Sequence, residues 1–365
     1  MHIPDGFLDV KTATATGVLA AAGLGLALRQ ARRHLPARRV PLLGLSAAFV
    51  FAAQMINFPV AGGTSGHLIG GVLTAALLGP SAALIVISAV LIVQCFLFAD
   101  GGVTALGANL FNMALIGGVG GWVVYHLLSR GVKGLFGRLV AAVVAGWAST
   151  VLASIACAGE LAGSGTVGWR SAWPAMAGTH MVIGIGEGVI TALVLAAIAK
   201  VRPELLGLTA PGAGVLEGAG AVVCGEAATT SAEDPVVSRT WLRRRRKPRH
   251  PATNLVSAAN GERTGPLVVF GLLMSVGLAL FVAPFACGWP DGLDKTAETL
   301  GFKDRESEHR ALPAPAPDYK TPGISSEALA TAIAGAAGTV FVFALAWGLA
   351  RALSPKSARP PHGRA

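Results

Sequence analysis

SAALIVISAVLIVQCFLFA, residues 81–99, carries no charged side chain. A helix needs about 20 apolar residues to cross the hydrocarbon core of a bilayer, and this stretch supplies them. Comparable runs place further spans at 12–28, 41–58, 67–79, 104–128, 139–159, 173–199, 266–286 and 326–350. The 67–79 run is short and meets 81–99 at Gly79-Pro80; proline removes an intrahelical hydrogen bond, so the junction is a tight turn or a broken helix. The rest of the 365 residues agrees: 53% are hydrophobic, mean hydropathy is +0.61, and only 13% are charged. A soluble domain carries roughly 25%. Soluble globular, disordered and collagen-like chains are excluded, which leaves an all-α integral membrane protein. The 48 glycines suit close helix packing in lipid.

A net charge of +10 would fit nucleic acid, but in a membrane protein it reports topology. With the N-terminus outside, 22 of the 29 Lys and Arg fall in cytoplasmic segments and 7 outside, and the opposite orientation inverts the ratio. The basic run 243–247 is read the same way, beside anionic lipid, and no nucleic-acid partner is expected. The expected location is the bacterial cytoplasmic membrane, multi-pass, with the C-terminus cytoplasmic. The first ten residues hold Asp5 and Asp9 but no Lys or Arg, unlike a secretory signal, so the mature protein is expected to keep Met1. Cys95, Cys157, Cys224 and Cys287 match no metal or redox spacing and read as small apolar residues. The organisation expected is a transmembrane domain at 1–200, a cytoplasmic basic linker at 201–265, a two-helix transmembrane hairpin with an external loop at 266–352, and a cytoplasmic tail at 353–365.

Chemistry concentrates in three places. At the start, Met1-His2-Ile3-Pro4-Asp5-Gly6 offers a terminal amine, a peptide nitrogen that a divalent metal can deprotonate, and an imidazole. Such nitrogens fit the tetragonal or square-planar sites of Ni(II) or Cu(II). Pro4 and Gly6 favour a turn back into the protein. The plainer alternative is a mobile tail. The second place, Gln54 to His67, lies on the same side; His67 supplies a further nitrogen, and Asn57, Ser65 or a backbone carbonyl orients its ring. The alternative is an ordinary loop with Ser65 capping a helix. Third, Gln94, Asn109, Asn112, His180 and Glu187 fall inside spans, where ionisable side chains are costly. His180 and Glu187, seven apart, share a helix face and suit a proton relay or metal pathway; interhelical hydrogen bonding is the alternative for Asn109 and Asn112. A stand-alone proton-coupled metal transporter or channel would use that pair. No G-x-x-x-x-G-K-[ST] occurs, so the chain is expected to bind no ATP itself and to be no enzyme, and any ATP-driven transport needs a partner ATPase.

MHIPDGFL (1–8), INFPVAGGTSGHLIGG (56–71), LGANLFNMALIG (106–117) and MVIGIGEGVIT (181–191) together resemble the CbiM/NikM family, the substrate-specific components of energy-coupling-factor transporters for cobalt or nickel. WPDGLDKTA (289–297) with Pro322-Gly323 resembles the PDGLE-type, NikN-related module, with Asp294 where an acidic residue follows PDGL. The resemblance implies a seven-helix bundle, a six-helix core plus an extra N-terminal helix, followed by the hairpin. It implies that Ni2+ or Co2+ is the transported substrate, held by the Met1 amine, the His2 backbone nitrogen and imidazole, and His67. It implies partners: a transmembrane coupling subunit of the CbiQ or NikQ kind and ATPase subunits of the CbiO or NikO kind. The second module is implied to help load metal, although Asp291, Asp294, Glu298, Glu306, Glu308 and His309 in its loop are not spaced like a closed site.

Overall fold

The computed structural model describes residues 1–132, 134–206, 264–307 and 311–354. Most of the expected linker with its basic run, most of the tail, Cys224, Glu308 and His309 lie outside these residues.

Helix α1 (Val10–His34) starts where Asp9 accepts from the Thr12 amide at 2.9 Å, and it ends in Arg32, Arg33 and His34, which complement the helix dipole. Helix α2 (Val40–Gln54) opens on Pro41, whose missing amide costs nothing in a first turn. It then stops short of the expected 41–58 span. Residues 58–66 instead form a small antiparallel hairpin, β1 (Phe58–Val60) and β2 (Thr64–Gly66), paired Phe58 to Gly66 and Val60 to Thr64. Helix α3 (Gly71–Leu78) is likewise shorter than the expected 67–79 span. Gly79, at φ 92°, breaks it from α4 (Pro80–Val93). The break at Gly79-Pro80 is as expected. The hairpin is not, and it shortens the two spans that flank it; the fold is all-α, as expected.

The remaining helices are α5 (Leu106–Gly131), α6 (Gly134–Gly163), α7 (Trp169–Val201), α8 (Thr264–Phe281), the short α9 (Gly292–Leu300) and α10 (Glu327–Leu353). Within α5, residues Leu110–Gly120 open into π-helix, as Gln94–Phe98 do at the end of α4. Among the described residues seven helices are long and apolar enough to cross a membrane, and α2 and α3 fall below that length. Helices α6 and α7 pack backbone to backbone: a Cβ on Gly146 would stand 2.8 Å from the Gly188 Cα. The α8–α10 hairpin lies along α2, with Gly44 beneath Phe343 and Trp347 and Gly338 against Phe51. The N-terminal segment is an inward plug, since Ile3 and Phe7 are fully buried.

Candidate metal centre

Three chain segments converge on Met1. The first is the N-terminal plug. Asn109 grips its backbone, accepting from the Ile3 amide at 2.8 Å and donating to the Ile3 carbonyl at 3.1 Å. Asp5 accepts from the amide and hydroxyl of Thr104 at 2.8 and 2.6 Å, and the Thr166 hydroxyl donates to the Phe7 carbonyl. The terminal amine is thereby held at a fixed point rather than on a mobile tail.

The second segment is the hairpin and the turn that follows it. His67 Nε2 stands 3.2 Å from the Met1 amine, and its Nδ1 bonds the Leu68 carbonyl at 3.2 Å. That bond places the ring proton on Nδ1 and leaves the Nε2 lone pair facing the amine. Burial, then the neighbouring charges of Met1 and His2, pull His67 down to about 3, so the ring is neutral at physiological pH. The His2 and His67 rings stack with centroids 5.3 Å apart. A backbone carbonyl therefore orients His67. Ser65 does not: its hydroxyl donates to the Trp289 carbonyl at 2.8 Å because β2 runs beside the second module. Nor does Ser65 cap α3, whose N-cap is Gly70. Asn57 lines the cavity, and its carbonyl accepts from the Cys287 amide at 2.9 Å.

The third segment is the turn at Trp289–Gly292. Asp291 caps α9, accepting from the Leu293 and Asp294 amides at 2.8 Å, and its other oxygen pairs with the Met1 amine. Backbone bonds dock the turn onto β2: the Ser65 amide donates to the Pro290 carbonyl at 2.8 Å, and the Thr64 hydroxyl donates to the same carbonyl. On the other flank His2 Nδ1 meets Asp100 at 3.0 Å, and Tyr319 donates its hydroxyl to the second Asp100 oxygen. Tyr319 also stacks on Phe98, centroids 4.7 Å apart. The second module thus reaches the site twice, through Asp291 and through Tyr319.

These carboxylates set the electrostatics. Burial would depress the Met1 amine, but Asp291, Asp100 and Asp294 outweigh it and raise the amine above its ordinary value. Burial pushes Asp291 and Asp100 up; Met1 on one and His2 with Tyr319 on the other reverse this, and both stay below the usual carboxylate range. A cavity of about 450 Å³ opens beside His2 and His67, walled by Asp100, Asp291, Gln54 and Tyr319.

The residues read as a pathway sit elsewhere in the network. Glu187 spends both oxygens on the Ile69 and Gly70 amides, at 2.6 and 3.0 Å, at the start of α3. A carboxylate there satisfies orphan donors and suits the positive end of the helix dipole. His180 Nδ1 bonds the Met176 carbonyl at 2.8 Å, and no direct hydrogen bond joins the ring to Glu187. Its ring lies under the second-module turn instead, beside a small cavity shared with Met1, His67 and Asp291. Asn112 donates to Glu160 at 2.6 Å, an interhelical bond. Cys95 and Cys157 are buried free thiols. Asp294 and Glu306 both pair with Lys303, and among the described residues no group of three or more His, Cys, Asp or Glu forms a closed metal cluster. In the sequence Asp100 and Asp291 read as no more than acidic residues at the external mouth and in the loop, and Tyr319 is not singled out. Their partners lie 98, 290 and 219 positions away, and nothing local marks such contacts.

A family model described as the cobalt uptake substrate-specific transmembrane region, CbiM, matches residues 2–205, and a PDGLE domain model matches 265–355. A protein of Archaeoglobus fulgidus, named provisionally as a fused nickel transport protein NikMN, is 34% identical over 96% of this chain and 98% of its own. The fused nickel transport protein NikMN of Rhodobacter capsulatus is 38% identical over 56% of this chain and 64% of its own. The cobalt transport protein CbiM of Sorangium cellulosum is 34% identical over 56% of this chain and 94% of its own. A crystal structure of a transition metal transporter superposes with a TM-score of 0.51 at 35% identity, covering 57% of this chain and 97% of that one. A truncated form gives 0.50 at 36%.

Proposed function

We propose, from the premise that this chain belongs to the CbiM family of cobalt-uptake substrate-specific transmembrane regions and carries a PDGLE domain, that Met1, His2 and His67 bind the divalent ion that it helps to import. The chain is a cobalt/nickel-transport membrane component of the CbiM/NikMN type. The observation that carries the site is the 3.2 Å approach of a neutral, lone-pair-bearing His67 Nε2 to a terminal amine fixed by buried contacts. Covalent geometry supplies the rest. The amine, the His2 peptide nitrogen and His2 Nδ1 follow one another along the chain at spacings that close small chelate rings, and His67 Nε2, 3.2 Å from the amine, is the fourth nitrogen of this reading. Such a set suits Ni(II) and Co(II) and disfavours magnesium, which takes oxygen ligands.

The carboxylates are counter-charges in this reading. Asp291 holds the amine and Asp100 holds Nδ1, the two atoms the ion takes, so loading exchanges a carboxylate contact for a metal bond at each. The module at 265–355 thereby joins in loading through its own side chains. Transport is powered by partners: a transmembrane coupling subunit and ATPase subunits of an energy-coupling-factor system, with the N-terminal face outside.

Calorimetry with Ni2+ and Co2+ on the purified full chain tests the site. One extra residue before Met1, or His2→Ala, abolishes tight binding, and His67→Ala weakens it at least about 100-fold, as loss of a ligand does. Unaltered binding in the extended and His2→Ala proteins would sink the assignment. Uptake by cells that make the chain without coupling and ATPase subunits would refute the energy source and leave the site standing.

A further inference from the structure

At the end of the bundle away from Met1, where α3 and α5 finish and α2, α4 and α6 begin, lies a second polar cavity of about 390 Å³. Its charged walls are Arg39 and Arg138, with His126, Tyr125 and Ser129 between them. Among the described residues no acidic side chain lines it, and Arg39 pairs with no carboxylate. Arg138 is anchored by one guanidinium hydrogen bond to the Leu206 carbonyl, which leaves its remaining donors free to serve the cavity. Trp122 and His126 stack at 4.7 Å along one wall, amphipathic rings of the kind that gather at headgroup depth.

A smaller groove of about 170 Å³ lies beside this cavity and shares three of its lining residues, Arg39, Leu78 and Gly79. The groove is mainly apolar, between Leu35, Pro36, Leu78 and Pro80. The break at Gly79, which ends α3, lines both, and a Cβ at that position would meet nothing within 4 Å. A cationic pocket with no carboxylate among the described residues, beside a mainly apolar groove at a helix-end boundary, has the polarity of one amphiphile. We propose that it binds an anionic phospholipid, the phosphate between Arg39 and Arg138 and the acyl chain along the Leu35–Leu78 groove. A free anion would use the first cavity and have no need of the second.

The test is native mass spectrometry of the detergent-solubilised full chain titrated with dioleoyl phosphatidylglycerol, dioleoyl phosphatidylcholine, or glycerol phosphate. The wild type retains one phosphatidylglycerol with clear preference over phosphatidylcholine. With each basic residue near lipid contributing about 1 kcal/mol, Arg39→Gln lowers that preference about fivefold and R39Q/R138Q about thirtyfold. Arg39 is exposed and holds no other residue in place, so the single variant reads the site even if loss of the Arg138–Leu206 bond perturbs the double variant; circular dichroism reports on folding in both. Equal affinity for the two lipids, or an undiminished preference in folded R39Q, overturns the proposal. Displacement of phosphatidylglycerol by equimolar glycerol phosphate overturns the lipid in favour of a free anion.

Discussion

Met1 shares its amine between a neutral imidazole and a carboxylate, and the proton on that amine is what a metal ion must displace. Because Asp291, Asp100 and Asp294 raise the amine above its ordinary value near 8, the group is still protonated at neutral pH. Metal affinity therefore climbs with pH through neutrality and past about 8, by about tenfold per unit for each proton released. Competition titrations with Ni2+ between about pH 6 and 9 would show this, and a flat profile would remove the amine from the site. His67 contributes nothing to that slope, being neutral far below the range. Asp291→Asn takes away the main raising charge and shifts the profile toward lower pH. If the profile of Asp291→Asn matched the wild type, Asp291 would be a helix cap and no more.

Between residue and helix, the stretch 55–70 holds the site together and was the hardest to read. Its first half, Met55-Ile56-Asn57-Phe58-Pro59-Val60, is apolar enough to prolong α2, and hydropathy alone extends the span to 58. Hydrogen-bond bookkeeping decides otherwise: Pro59 has no amide to continue a helix, and Gly62 and Gly63 sit at positive φ in a tight turn. The long spans were legible because apolar runs near membrane length admit one reading, and the break at Gly79-Pro80 because a proline marks it. The docking of Ser65 on Trp289, and the Glu187 clamp on Ile69 and Gly70, were not legible, since each joins segments more than 100 positions apart. Glu187→Leu leaves those two buried amides without acceptors, at about 1–3 kcal/mol each. Thermal unfolding in detergent should show a matching drop in midpoint, together with weaker Ni2+ binding because α3 no longer fixes the turn carrying His67. A stability loss with intact metal affinity would separate the clamp from the site.

For the molecule as a whole, the two modules meet through direct contacts: α8 and α10 lie on α2, the 289–292 turn lies on β2 and α7, and Tyr319 reaches Asp100. Residues 1–206 and 264–365, made as separate chains, should therefore co-purify and bind Ni2+ within about threefold of the intact protein; contacts of this extent do not need a tether. Recovery of the first piece alone would show that the linker is required. The same arrangement imposes an order in time. Asp291 covers an amine made 290 residues earlier. At about 5–20 residues per second, the first residue waits about 15–60 s for its cover. Throughout that interval the amine is open to whatever trims or acetylates new chains, and a single such event would erase a ligand before the protein is finished. The fidelity of this site is thus decided partly at the ribosome exit, by a race between N-terminal processing and the arrival of the last hairpin.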